Sequence, residues 1–257
     1  MCALRGLTVV VTRPDRQAVS LCRLLENRGA VTLRLPVVDI EAVSMTPDML
    51  TLLRTAGAFD LVIFTSANAV TFGASMLETR HVTLAAIGPA TARALGAVGL
   101  HPAVTPDTYD SEGLLRHPRL AAGDGQRVLI VTGRCGRDLL RRQLGERGAR
   151  VTIAEVYQRK RREYGAADLA ALEKRFSAAS GTVVTATSVA IVSGLLELAT
   201  PALMHEFARV HWLVPGVRVA TAVRALGLTA PILEAASAED HDLVVALERW
   251  RSEISAA

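Results

Sequence analysis

The stretch Leu61-Val62-Ile63-Phe64-Thr65-Ser66-Ala67-Asn68-Ala69-Val70 sets four unbroken apolar residues before two small hydroxyls and a helical pattern. A run this short, apolar on both faces and followed by helix-capping residues, predicts a strand buried in a parallel sheet. Similar runs recur at Leu7–Val11, Val31–Leu35, Val82–Ile87, Val128–Val131, Val151–Ala154, Thr182–Ala186 and Val210–Val214. His101–Val104 and Pro231–Leu233 are weaker candidates and complete a set of ten strands. Amphipathic stretches with Gly and Pro punctuation lie between them, which is the pattern of a doubly wound α/β fold.

The chain is also written twice. Val9-Val10-Val11-Thr12 matches Leu129-Ile130-Val131-Thr132, and both following helices end at Arg-Gly-Ala, at Arg28-Gly29-Ala30 and Arg147-Gly148-Ala149. Thr65-Ser66 with Val70 matches Thr187-Ser188 with Val192. Gly88, Ala92, Leu95 and Gly99 match Gly216, Ala220, Val223 and Gly227 at one constant offset. A repeat on this scale predicts two similar units, and by itself it would divide the chain near residue 123.

Composition narrows the function. Of 257 residues half are hydrophobic and 21% charged, so the chain buries a real core. Aromatics at 4% argue against a stacking platform for single-stranded nucleic acid. The net charge is +4, and the only lysines are Lys160 and Lys174, neither in a phosphate-loop setting. Cys2, Cys22 and Cys135 form no CxxC, and the histidines no HExxH, so no metal is expected. Phe176–Leu196 is uncharged but holds seven Ser or Thr and two Gly, and reads as a loop, a buried strand and a helix rather than a membrane span. No signal peptide is read at the start, where Arg5 interrupts, so a soluble cytoplasmic protein is expected.

Ligands of doubly wound sheets collect at the carboxyl ends of the strands. Those ends here read Thr12-Arg13-Pro14, Thr65-Ser66-Ala67-Asn68, Gly88-Pro89-Ala90-Thr91, Thr132-Gly133-Arg134 and Thr187-Ser188. They offer hydroxyls and free N–H groups but no Asp, Glu, His or Cys, which suits an anionic ligand. The plainer reading of each Ser or Thr is a helix cap. The Arg-rich segment Arg134–Arg150 with Arg159-Lys160-Arg161-Arg162 reads as a solvated face and charged connection, with a nucleic-acid patch as the rival. Arg13 and Arg137 differ, since they lie at or just after strand ends. Tyr157 closes a strand just before the basic connection; such a ring more often packs, but its phenol can donate a proton.

Taken in order, Val11-Thr12-Arg13-Pro14, Phe64–Val70, Ala86–Ala92, Ser111–Leu115, Gly136-Arg137, Glu155-Val156-Tyr157 and Thr187-Ser188 resemble the uroporphyrinogen-III synthase family. The resemblance implies two similar doubly wound parallel-sheet, flavodoxin-like domains joined by a two-stranded linker, with the active site in the cleft between them. It implies that residues 1–37 plus 163–257 form one domain and 40–157 the other, with linkers near 36–40 and 156–162. The implied reaction cyclises hydroxymethylbilane, a linear tetrapyrrole polycarboxylate, with inversion of its last ring and loss of water. It needs no cofactor, no nucleic acid and no membrane. The resemblance assigns Tyr157 as the acid assisting water loss. It places Ser66, Thr91 and Ser188 on the substrate carboxylates; Arg13 and Arg218 are set there by position, and Thr12, Thr65, Asn68, Gly133, Arg137 and Thr187 by the strand-end loops they belong to. Arg218 is read as standing where Thr91 stands in the first repeat. A monomer is expected, with transient contact to the enzyme that supplies the substrate. The alternative is a non-catalytic two-domain protein that binds a small anion.

Overall fold

The computed structural model describes residues 3–78, 82–121, 125–136, 138–178, 181–225, 227 and 231–256. The strands are β1 (Thr8–Val11), β2 (Val31–Arg34), β3 (Val38–Ala42), β4 (Leu61–Phe64), β5 (Thr83–Ala86), β6 (Arg127–Gly133), β7 (Arg150–Arg161), β8 (Thr182–Thr185), β9 (His211–Pro215) and β10 (Ile232–Ala235). They form two five-stranded sheets, ordered β10-β9-β8-β1-β2 and β3-β7-β6-β4-β5. The first reads 2-1-3-4-5 in chain order, an order common to doubly wound folds. The chain divides into two compact units, Met1–Asp39 with Lys160–Ala257, and Ile40–Arg159.

Each sheet is apolar on both faces because helices cover both. In the first unit Val10, Val184 and Trp212 pack on one side, whereas Val9, Val11, Val183 and Leu213 pack on the other. In the second, Val62, Phe64, Leu129 and Val131 oppose Leu61, Ile63, Val128 and Ile130. This is the period-two alternation of strands, visible in sequence as unbroken runs because neither face meets water.

The repeat is real, and the sheets recombine its halves. The pair β8–β9 repeats β4–β5 in register: Val183 lies opposite His211 as Leu61 lies opposite Thr83. The pair β6–β7 repeats β1–β2, Val128 opposite Val151 as Val9 opposite Thr32. Each sheet therefore takes one pair from each half of the sequence, and a cut near residue 123 would part β6 from β4. The register also moves one match. Val9 corresponds to Val128, not to Leu129, so Arg13 rather than Thr12 occupies the place of Thr132.

Three expectations change. His101–Val104 is not a strand; it makes a single bridge, Val104 to Ala85, at the place β10 takes in the other sheet. Pro102 removes a ladder donor there. The fifth strand of the second sheet is instead β3, whose Asp39 and Glu41 hide it from a search for apolar runs. Val151–Ala154 and the expected linker strand Val156–Arg161 are one continuous strand, β7.

Candidate active site

In the Ile40–Arg159 unit, β4 ends at Phe64 and Thr65 starts the turn into helix Ala67–Gly73. The Thr65 hydroxyl donates to Thr132 Oγ1 of neighbouring β6 at 2.8 Å. Ser66 caps the helix, its Oγ accepting from the Ala69 N–H at 3.0 Å. The same oxygen lies 3.1 Å from the Tyr157 hydroxyl, and either can donate. One serine oxygen thus serves both the helix cap and the contact with the tyrosine hydroxyl.

Tyr157 reaches Ser66 because of a bulge. Thr132 pairs with Glu155, but the next residue, Gly133, pairs with Tyr157, so Val156 is the extra residue. Neighbouring residues of a regular strand face opposite sides, yet Val156 and Tyr157 both join the cluster around Phe64 and Val131. The bulge has re-aimed the tyrosine. Its ring is only 4% exposed, stacks on Phe72 at 6.1 Å, and has the Arg159 guanidinium 6.0 Å from its centre. It lies against the α-carbon of Gly133, where an added Cβ would sit 2.5 Å from the Tyr157 Cζ. Beside this pair, a cavity of about 450 Å³ is lined by Thr65, Thr132, Cys135, Gly136, Asp138 and Glu155 among others, and Tyr157 does not line it. Thr65 and Thr132, hydrogen-bonded to each other, give that cavity part of its polar lining.

The other nominated residues of this unit divide. Asn68 is half-buried in the first turn of the Ala67–Gly73 helix, and Thr91 is buried in helix Pro89–Ala97. Arg137 lies outside the described residues.

In the Met1–Asp39 and Lys160–Ala257 unit, the Thr12 hydroxyl is buried and donates to the Thr185 carbonyl at 2.6 Å, tying β1 to β8. Arg13 is buried too. Its guanidinium donates to the Asp240 carboxylate and the Ala238 carbonyl at the start of the last helix. Ser188 caps helix Val189–Leu198, accepting from the Ile191 N–H at 3.3 Å, with Thr187 half-buried beside it. Arg218 is exposed in the first turn of helix Gly216–Ala225. Aligning Gly88 with Gly216 puts buried Val219, not Arg218, in the place of buried Thr91, while exposed Arg218 matches exposed Ala90. The reading of Arg218 as the counterpart of Thr91 is therefore one residue off.

Arg13 yields a stability prediction. Arg13→Met leaves the partly buried Asp240 carboxylate without its cation, which costs about 3 kcal/mol on removal of one partner of a buried pair. Urea unfolding of the variant checks this; an unchanged midpoint would mean the ion pair holds nothing.

Several cations of the basic segment pair with acids of the same chain. Arg134 faces Glu155, Arg141 pairs with Asp138 at 2.5 Å, Arg161 with Glu197 at 2.7 Å, and Arg162 with Asp15 and Asp39. Arg147 donates to the carbonyls of Leu115 and Leu120. Hydrogen bonding to Arg141 holds the Asp138 carboxyl below its ordinary range. Pairing of this kind is what a solvated, charged face makes. The sequence reading missed Tyr164, whose hydroxyl donates to the Pro36 carbonyl at 2.9 Å and whose burial raises its pKa to about 12. Among the described residues no group of three or more His, Cys, Asp or Glu could hold a metal ion, and no helix is long and apolar enough to cross a membrane.

Two sheets built mainly of parallel strands, with hydroxyls and glycines at their carboxyl ends, define a protein of the doubly wound α/β class. The chain matches, over residues 19–244, the family described as uroporphyrinogen-III synthase HemD. It is 32% identical over 234 residues to the uroporphyrinogen-III synthase of Escherichia coli (strain K12), covering 86% of this chain and 92% of that protein. To the Salmonella typhimurium enzyme it is 33% identical over 215 residues, covering 81% and 84%. Its fold resembles the crystal structure of a mutant uroporphyrinogen III synthase from the extremely thermophilic bacterium Thermus thermophilus, with a TM-score of 0.63 at 23% identity over 98% of this chain and all of that one. The Helicobacter pylori 26695 enzyme gives 0.60 at 16% identity over the same shares. The chain belongs to the uroporphyrinogen-III synthase family, and so is an enzyme of tetrapyrrole biosynthesis that catalyses a ring closure.

Proposed function

We propose that the strand ends of the Ile40–Arg159 unit carry this closure, with Tyr157 as the acid and Ser66 as its partner. The observation that supports it is the 3.1 Å contact between the two hydroxyls at the ligand end of a parallel sheet. The substrate is hydroxymethylbilane. Its terminal hydroxyl accepts a proton from Tyr157 and leaves as water, and the pyrrole electrons form an azafulvene cation. The substituted position of the last ring attacks that cation, the spiro intermediate fragments, and the ring recloses inverted. Reclosure releases a proton from the last ring, so the acid is restored and water is the sole co-product.

The substrate supplies the electronic push, so the protein mainly holds the chain in the geometry that inverts the ring. Its acetates and propionates suit hydroxyl, N–H and arginine donors. Thr65, Thr187, Ser188, Arg218, Thr91, Asn68 and Gly133 are assigned to that binding, together with Arg137. Thr12 and Arg13 contribute indirectly, since their polar groups already serve Thr185, Ala238 and Asp240. The enzyme acts in the cytoplasm as a monomer, in transient contact with the enzyme that supplies its unstable substrate.

The test is the product isomer. With hydroxymethylbilane generated in situ and the products oxidised and separated, the purified protein should give predominantly type III uroporphyrin. Only type I, the uncatalysed product, from folded protein would leave a non-catalytic anion binder as the better reading.

A further inference from the structure

Of ten aromatic side chains, Tyr109 alone is exposed, at 65% of its surface. An exposed ring on a tether that wanders would need no explanation, but the backbone that carries this one is tied down on both sides. The Asp110 N–H donates to the Thr108 carbonyl at 2.9 Å, and the Asp110 carboxylate accepts from the Gly113 N–H at 2.6 Å. Arg116 donates to the Thr108 hydroxyl at 2.6 Å. Gly113 sits so close that a Cβ there would stand 2.0 Å from the Thr108 carbonyl oxygen. The root of the Tyr109 side chain rests on Gly88, where a Cβ would meet Tyr109 Cβ at 3.0 Å.

Place matters as much as rigidity. Val104 bridges β5 in parallel, so the loop that follows it emerges at the carboxyl ends of the sheet, the end where Ser66 and Tyr157 meet. Gly88 opens helix Pro89–Ala97 at that same end. From β5 to β7 the sheet order makes three steps, about 14 Å at an interstrand spacing of about 4.8 Å. A ligand of four linked rings reaches across that width, whereas a single ring does not.

We infer that Tyr109 is a substrate-contacting residue whose ring face stacks on a pyrrole ring remote from the one reacting at Tyr157. The inference rests on the function proposed above. A flat, electron-rich ring offered to a chain of flat heterocycles binds by offset stacking. Such a contact is equal in ground and transition states, so it acts on KM and leaves kcat alone.

The experiment compares Tyr109→Phe, Tyr109→Leu and Tyr109→Ala with the unaltered protein, in steady-state formation of type III product and in equilibrium binding of uroporphyrin III followed by fluorescence. Tyr109→Phe should match the unaltered protein in both, because the face and not the hydroxyl makes the contact. Tyr109→Leu and Tyr109→Ala should raise KM and weaken uroporphyrin binding by about three- to tenfold, the range of one aromatic contact, at unchanged kcat. Equal KM and equal binding in the Phe and Leu variants would overturn the inference, even if the Ala variant were destabilised over Gly88. Loss of kcat with KM unchanged would overturn it as well. The binding arm keeps the two readings apart: failure of the unaltered protein to form type III product sinks the proposed function, whereas the Phe-to-Leu contrast in binding decides Tyr109.

Discussion

Tyr157→Phe should lower kcat about a hundredfold, the low end of what a positioned acid contributes, with KM nearly unchanged. The low end applies because the pyrrole already drives the hydroxyl out, leaving the acid only part of the barrier. The fold should survive. The ring keeps its stack on Phe72 and its seat on Gly133, and only the hydroxyl contact with Ser66 is lost. A neutral hydrogen bond of that kind is worth about 1 kcal/mol, a shift of a few degrees in melting temperature. Ser66→Ala separates the roles, since it removes the helix cap as well, at about 1 kcal/mol, but leaves the phenol in place. Its kcat should fall less than that of Tyr157→Phe. A Tyr157→Phe protein that melts normally and turns over at the full rate would end the assignment of Tyr157 as the acid.

The sequence showed most of the scaffold because each strand is buried on both faces. Leu61–Phe64 is apolar at every position for that reason, and its boundaries coincide with β4. The strand β3, which overlaps the linker expected near 36–40, does not show as an apolar run for the converse reason: Val38–Ala42 is nowhere fully buried and alternates with Asp39 and Glu41. Caps were legible too, since Ser66 and Ser188 do what a hydroxyl before a helix does anywhere. Partnership across the chain was not. Arg13 stands at a strand end and so looks available to an anion, but Asp240, 227 positions away, already holds it. Nothing local marks that pairing. The bulge was equally silent, because an extra residue is a relation between two strands and Val156 is an ordinary strand residue in its own.

That bulge makes Gly133→Ala the substitution with the largest combined effect. Gly133 is not among the glycines with positive φ, so backbone freedom does not require it. Space does. The new methyl would lie 2.5, 2.7 and 2.9 Å from three carbons of the Tyr157 ring, closer than any packed contact. The ring cannot slide aside freely, with Phe72 stacked on it and Val156 packed in the same cluster. Overpacking of this kind costs about 1–3 kcal/mol, and the ring's shift carries its hydroxyl away from Ser66. Gly133→Ala should therefore lose about as much kcat as Tyr157→Phe, and more stability. The double variant tells clash from chemistry. Once the hydroxyl is gone, adding Gly133→Ala should hardly lower kcat further, while the stability loss persists because the ring remains. Replacing the ring with Tyr157→Leu should relieve part of that loss, a coupling read directly from a double-mutant cycle. Two independent, fully additive losses of kcat would show that Gly133 acts on the reaction by some route other than the seat of Tyr157.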